Sequence, residues 1–479
     1  MKKIKDIHTI NKILMVTLTL VSCYFAYTIL KLNVLPNKYL IPFLVVGVVI
    51  YGLVMLYLIK SRKAYAKIIA ILSTIAIILV APKIAELEGT LDDITDLSEE
   101  TYTIHVITHI DSAHKTMDDV KDLVFGANTT QDEVNILRAQ ALIKEAGYDI
   151  HYKRYESYDD MITDFYTFNP EVYLISEADI EFLIDNQETF EDHYKIIASY
   201  SYTVDLEENK DTNVSTDTFN IYISGIDTGG DISSVSRSDA NIILTVNPLK
   251  NQILMTSIPR DTFVIRHTNG QYDKLSLVGR SGITETVKTI EDLMEMDIHY
   301  TLRVNWTSVI KVVDALGGIE VNNPYAFKQG QYYFNKGVVQ LDGEKALAFV
   351  RNRKSLPDDE DSRAQNQQRV LTAIIQKMMS PAIIYNYSDF LNAISGSVQT
   401  TMPQNQLNKL IKNQINDMPT WEIFTTQLIG DMFDTWEAFS HMGKWQIVKE
   451  PHKDKLIKAQ KLIESMKNNE TITQEMLEN

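Results

Sequence analysis

The sequence predicts an α/β protein: a mixed central sheet flanked by helices, preceded by a smaller α/β accessory domain and by three N-terminal transmembrane helices. Three observations carry this expectation. Apolar stretches at residues 13–32, 39–58 and 66–84 each come close to the ~20 residues needed to cross a hydrocarbon core as a helix. Beyond them, short apolar runs of period two are interleaved with runs of helical period. In the middle of the second such block strands and helices alternate, which favours a mixed sheet covered on both faces.

Taken in order, residues 1–86 hold the spans. A buried helix of a water-soluble domain keeps a polar face, and these stretches have none. Lys2, Lys3, Lys5 and Lys12 precede the first span, and Lys60, Arg62, Lys63 and Lys67 surround the turn between the second and third. By the positive-inside rule both groups face the cytoplasm, so three crossings leave everything after about residue 86 on the outer face of the cell membrane. Two further spans after the first, and the lack of a small-residue cleavage site, argue against a cleaved signal peptide. The single cysteine, Cys23, falls inside the first span, so the outer body must be held by its own core rather than by disulfides.

Residues 87–216 open with an acidic run and are expected to form the accessory domain plus a linker at 206–215. Period-two runs place strands at 102–107, 148–152, 171–175 and 194–202, and helical periodicity fills 133–146, closed by Gly147. His105, His109, His114, His151 and His193 are scattered and read as solvent-facing rather than as a metal set.

Residues 217–401 form the second unit, with strands at 219–223, 240–246, 252–258 and 300–305 and helices at 284–296, 308–316, 343–349, 364–379 and 387–398. Residues 402–479 follow as a helical region with a periodic piece at 404–418, an apolar stretch at 421–429, and a lysine-containing tail expected to be peripheral.

Charged residues collect at the junctions of this second unit. Asp227, in Gly225-Ile-Asp-Thr-Gly-Gly230, follows the first strand, and Arg260 follows the third. In open α/β sheets, ligands settle beyond the carboxyl ends of strands. An aspartate capping a glycine turn and a local pair between Arg260 and Asp261 are the competing structural accounts. Arg237 and Asp239, two residues apart in extended chain, share a face. Arg351 and Arg353 share one only if the preceding helix ends before them, and Pro357 with its acidic neighbours marks such a break; a solvated basic turn is the alternative.

Arg363 and Gln367 lie on one face in the first turns of the next helix, whose N-terminus favours an anion, while Gln365, Asn366 and Gln368 read as exposed. Lys274 is either a further phosphate contact or a surface lysine. Repeated guanidinium groups at such junctions, in a chain of formal net charge −17, favour phosphate, which the planar fork holds bidentately. With Asp227 and Asp239 as hard oxygen donors, the mixture suits a diphosphate bridged by a divalent cation.

In this order, Asp227-Thr-Gly-Gly-Asp, Arg237-Ser-Asp239, Ser-Ile-Pro-Arg260-Asp261, Asp273-Lys274-Leu, Asp314-Ala-Leu-Gly-Gly-Ile-Glu-Val, Leu341-Asp-Gly-Glu-Lys-Ala-Leu-Ala-Phe-Val-Arg351-Asn-Arg353 and Arg363 to Gln367-Gln368 resemble the LytR-CpsA-Psr family of bacterial envelope proteins. The three spans and the accessory domain look most like its capsule-associated branch, found in streptococci and their relatives. The resemblance implies a glycopolymer transferase that moves capsular or other cell-wall polysaccharide from a polyprenyl (undecaprenyl) diphosphate carrier onto peptidoglycan. It further implies that Arg260, Arg351, Arg353 and Gln367, helped by Arg237, Lys274 and Arg363, hold the diphosphate, with catalysis resting on Arg260, Arg351, Arg353 and Asp239. Asp227 and Asp239 would hold Mg2+, with Mn2+ as the alternative, and an apolar tunnel would take the lipid tail.

Glu360 stands where relatives often carry Asp, Asn366 where they often carry Arg, and residues 275–280 are less small and Gly-rich than is usual. Expected partners are the lipid-linked polysaccharide, the peptidoglycan acceptor, the cell membrane and capsule-assembly proteins. Two other readings use the same residues: a polyprenyl-diphosphate phosphatase, and a non-enzymatic lipid-binding regulator of capsule assembly. Nucleic acid is opposed by the acidic balance and by the outer location expected for the body.

Overall fold

The structure is a computed structural model that describes residues 2–60, 64–187, 189–207, 209–226, 232, 234–305, 309–352, 359–441 and 444–478. Three helices, α1 (Lys2–Leu32), α2 (Asn37–Lys60) and α3 (Ala64–Thr95), are long and apolar enough to cross a membrane. α3 runs past its apolar stretch, and the reason lies in its last turns. Leu91 and Ile94, with Leu32 at the end of α1 and Val34 just beyond it, are buried in the core of the large domain. Lys31 pairs with Glu88 at 2.7 Å, and Asn408 donates to the Leu32 carbonyl at 3.2 Å. The helices are therefore fused to the body rather than tethered to it.

The smaller domain is a mixed five-stranded sheet built from β1 (Glu99–His109), β2 (Val124–Asn128), β3 (His151–Tyr155), β4 (Val172–Ser176) and β5 (Tyr194–Asp205), in the order β3-β2-β4-β1-β5. Its helices include α4 (Glu133–Glu145), α5 (Tyr158–Tyr166) and α6 (Glu177–Asn186). The sequence misses β2 because Val-Phe-Gly-Ala-Asn has no period-two alternation: all but its first residue are buried. Two of the five histidines correct the expectation of solvent exposure, while His151 is exposed as expected. His105 is buried and bonded to Ser199 Oγ at 2.9 Å, and the buried His109 ring lies 4.4 Å from that of Phe168.

The larger domain contains β6 (Phe219–Ile226), β7 (Ala240–Asn247), β8 (Gln252–Ile258), helix α7 (Ile283–Met294), β9 (Tyr300–Asn305), α8 (Val309–Ala315), α9 (Gly343–Arg351), α10 (Asp359–Met378), α11 (Ala382–Ile394), β10 (Val398–Thr400), α12 (Gln404–Asp417), β11 (Glu422–Gln427), β12 (Gly430–Thr435), β13 (Gln446–Pro451) and α13 (Lys453–Lys467). The sheet order is β10-β9-β6-β7-β8-β11. β9 is parallel to β6 and β11 to β8, while β7 is antiparallel to both of its neighbours, so β6, β8, β9 and β11 point their carboxyl ends the same way.

Alternation divides the two faces of the sheet. Tyr222, Ile243, Leu254 and Ile258 meet Ile290 and Met294 of α7, whereas Ile223, Ile242, Leu244, Ile253 and Met255 meet Leu371 and Ile375 of α10 and Leu407 of α12.

The C-terminal expectation is corrected here. Residues 421–429 contain an edge strand of the central sheet, and α13 is no peripheral tail, because Ala459, Leu462, Ile463 and Met466 complete the core on the α7 face. The lysines of α13 conceal an apolar stripe of helical spacing on its other side. Leu462→Ala in detergent-solubilised protein is expected to cost about 2–5 kcal/mol by loss of buried methylenes, read from chemical denaturation. Similarly, residues 387–398 do not form one helix. α11 starts earlier and ends at Ile394, and Val398–Thr400 pairs with β9.

Candidate active site

Asp239 is the hub of the charged residues. It stands just before β7, its amide donating to the Gly225 carbonyl at 2.9 Å, so the end of β6 fixes its backbone. Arg260, directly beyond β8, donates through Nη1 to Asp239 Oδ1 at 2.7 Å; both side chains are about a quarter exposed, at 24% and 23%. The local contact with Asp261 is longer, 3.9 Å from Arg260 Nε, and Asp261 also takes Lys274 Nζ at 3.2 Å. The long-range partner therefore wins over the sequence neighbour.

Arg363 reaches the same point from α10, its Nη2 lying 3.4 Å from the Asp239 carbonyl oxygen. Burial alone would raise the Asp239 pKa, but the charges of Arg260, Arg237 and Arg363 outweigh it and hold the carboxyl below its ordinary value. Four sequence-predicted residues, Arg237, Asp239, Arg260 and Arg363, thus act on one point at the carboxyl edge of the sheet.

A carboxyl with a lowered folded pKa contributes stability that is complete above its unfolded value and is lost as pH falls through the folded one. The stability difference between wild type and Asp239→Asn, measured in chelator, is expected to stay level from neutral pH to about 4 and to collapse below it.

α10 is held in register by side chains that read as exposed in the sequence. Gln368 is buried and donates to the carbonyls of Thr426 at 2.7 Å and Met255 at 3.3 Å. Asn366, also buried, bonds the Phe349 carbonyl of α9 at 3.3 Å and accepts from Arg369 at 2.8 Å. α10 begins at Asp359, so Arg363 and the buried Gln367 lie one to two turns inside it rather than at its first residues.

Arg351 is exposed and is the last residue of α9, not a residue beyond it. The helix breaks at Asn352, which is extended at φ −70° and ψ 130°. Asp227 and Arg353, one metal-binding and one diphosphate-binding expectation, lie outside the described residues, as does the side chain of Glu360.

Lys449, on β13, was not singled out by the sequence. It is buried, its Nζ sits 2.5 Å from Asp361 Oδ1, two residues before Arg363, and its amide donates to the Asp261 carbonyl at 2.7 Å. Gln427, at the end of β11, donates to the same Asp361 oxygen at 2.9 Å. The only hint in the chain is a lone lysine inside the period-two run 446–451.

Asp273 has a structural place. Fully buried, it takes Arg266 at 3.0 Å and Ser440 Oγ at 2.7 Å, which anchors the segment carrying Lys274. Among the described residues no group of three or more His, Cys, Asp or Glu could hold a metal ion. Asp239, kept ionised and partly accessible, does fit one corner of a hard-cation site whose other ligands are phosphate oxygens and water.

The chain is 33% identical over 251 residues to the polyisoprenyl-teichoic acid–peptidoglycan teichoic acid transferase TagU of Bacillus cereus, covering 50% of this chain and 81% of that one. It is 36% identical over 211 residues to TagU of Bacillus subtilis strain 168, covering 43% of this chain and 68% of that one. Among solved structures, that of B. subtilis TagV covers 54% of this chain and 99% of its own at 27% identity and a TM-score of 0.44. The sequence model of the LytR_cpsA_psr family matches residues 185–462, more than half of the chain, and the protein belongs to that family.

Proposed function

We propose that the protein transfers a glycopolymer, capsular or another cell-wall polysaccharide, from a polyprenyl diphosphate carrier to peptidoglycan, on the outer face of the membrane. The observation that carries this reading is the convergence of Arg237, Arg260 and Arg363 on Asp239, from three separate segments, at the carboxyl edge of the sheet. Support comes also from family membership and from relatives named as transferases of polyisoprenyl-linked teichoic acid.

In this reading Arg260, Arg237 and Arg363, with Lys274, Gln367, Arg351 and Arg353, hold the diphosphate. As the bond to the leaving phosphate breaks, negative charge builds on its oxygens, and fixed guanidinium groups stabilise that charge without reorganising. Asp239, with Asp227, would hold a magnesium ion, which when bound supplies further positive charge to the phosphate oxygens. The Arg260–Asp239 pair keeps both side chains oriented before substrate arrives.

The lipid tail is assigned to the apolar layer of Val313, Phe349, Val350, Val370 and Phe390. This layer is continuous with Leu91 and Ile94 of the membrane-proximal α3 and ends beside Arg351. Apolar side chains linking the end of a membrane helix to the neighbourhood of the charged residues favour a lipid-linked substrate over a soluble one.

The test is transfer by the purified full-length protein from lipid-linked polymer to peptidoglycan. Wall-bound polymer is expected, with loss on chelation and recovery on adding magnesium or manganese. Free polymer as the sole product would replace this reading with hydrolysis, and no product of either kind would favour a lipid-binding regulator.

A further inference from the structure

We infer that the smaller domain is a positioning element for the anion site: Glu100 and Arg303 hold the 234–239 segment so that Arg237 and Asp239 face the other guanidinium groups. This deepens the diphosphate reading above and rests on it for the identity of the ligand.

The segment is held from three sides. On the first, β1 of the smaller domain runs alongside it: Thr101 and Ser234 form a parallel bridge, and the Val235 amide donates to the Thr101 carbonyl at 3.2 Å. On the second, Arg303 of β9 donates through Nη2 to the Ser234 carbonyl at 2.6 Å and through Nη1 to Glu100 Oε1 at 3.2 Å. Both charged side chains are 2% exposed. The second Glu100 oxygen accepts from the Ile283 amide at 2.8 Å, which ties the same carboxylate to the start of α7. On the third side, Gly279 packs so closely that a Cβ there would meet the Ser236 carbonyl oxygen at 3.0 Å and the Arg237 Cα at 3.4 Å. That turn is locked to the smaller domain through the buried contact of Arg280 with Asp179.

A buried ion pair adds little net stability over apolar residues of similar size, because desolvation offsets the attraction. What Glu100 and Arg303 do fix is a distance, since one guanidinium spans the carboxylate of one domain and a main-chain carbonyl beside the site of the other. Arg237 lies three residues beyond that carbonyl and Asp239 five, with both ends of the segment pinned. A displacement of about 1 Å in a positioning shell can cost roughly 10²-fold in rate. Glu100 and Arg303 therefore act as positioning residues, through the backbone and not by touching the ligand.

The test compares wild type with the double variant Glu100→Gln, Arg303→Met, which removes both charges at similar volume. A second variant, Val235→Pro, removes the amide that bonds Thr101 while leaving both charges in place. Full-length protein in detergent is read by melting, by hydrogen exchange of peptides covering 234–239, and by affinity for geranylgeranyl diphosphate with magnesium. At nearly unchanged melting, exchange of that segment is expected to quicken at least tenfold, with binding weakened by a similar factor. If the double variant does not fold, Val235→Pro decides. Unchanged exchange, or faster exchange with unchanged affinity, overturns the inference. A wild type that does not bind the probe overturns the transferase reading instead, and the clamp is then judged by exchange alone: faster exchange upholds it and unchanged exchange overturns it.

Discussion

Arg260→Ala is expected to lower glycopolymer transfer by about 10²–10³-fold, the scale for removing one preorganised donor from a developing oxyanion. The folded state should survive, because Arg260 sits beyond the end of β8 and is a quarter exposed rather than a core residue. Asp239 then loses its 2.7 Å partner but keeps the charges of Arg237 and Arg363 near it, so its carboxylate is not left alone. Arg260→Lys should recover only part of the activity, since an ammonium keeps the charge but cannot hold phosphate oxygens in a planar fork. Transfer measured with lipid-linked polymer, beside a melting curve for each variant, checks this. Activity retained by Arg260→Ala at wild-type stability would remove Arg260 from the site.

Arg280→Met is expected to destabilise the protein by about 3–5 kcal/mol, the cost of leaving one member of a buried ion pair uncompensated. Arg280 and Asp179 are 7% and 3% exposed, and the guanidinium also lies over the rings of Phe182 at 4.2 Å and Tyr158 at 5.5 Å. Ser176 and Tyr158 bond the same Asp179 carboxylate, which places the loss toward the lower end of that range. The deficit should largely vanish in the double variant Arg280→Met, Asp179→Leu. Denaturant titrations of the detergent-solubilised protein give both numbers. A single variant as stable as wild type would show that the two domains are not joined through this pair.

The Arg280 case shows what the chain conceals. In the sequence Arg280 ends a segment notable only for being less Gly-rich than its relatives, and Asp179 lies in another domain, 101 residues away. Glu100 and Arg303 are 203 residues apart, and Gln131 of the smaller domain bonds the Phe439 carbonyl across 308 residues. Neither spacing nor periodicity carries such pairs, because a partner chosen by tertiary packing leaves no local trace. The same holds for Lys449, whose carboxylate partner is 88 residues upstream. It holds also for Asn366 and Gln368, which a polar helix face makes look exposed until two strands and a helix close over them.

Other features were legible because their causes are local. The strand 252–258 and the strand 300–305 have the bounds that their apolar runs suggest, and α4 stops before Gly147, whose φ of +97° suits a residue without a Cβ. The placement of Arg260 past the end of one strand and of Asp239 just before another followed from the order of the elements alone, since a residue flanking an apolar run must lie at the sheet's edge.

By itself, then, the sequence determined the three apolar helices, the mixed sheet with helices on both faces, and that Arg237 and Arg260 flank its strands, since hydrophobic period and chain order act within a few residues. Only the tertiary structure decided that Asp239 rather than Asp261 takes Arg260 at 2.7 Å, that the C-terminal strand and helix belong to the core, and that the smaller domain grips the site's segment. Those outcomes depend on which surfaces exclude water together, and a burial shared between segments hundreds of residues apart is a property of the packed whole.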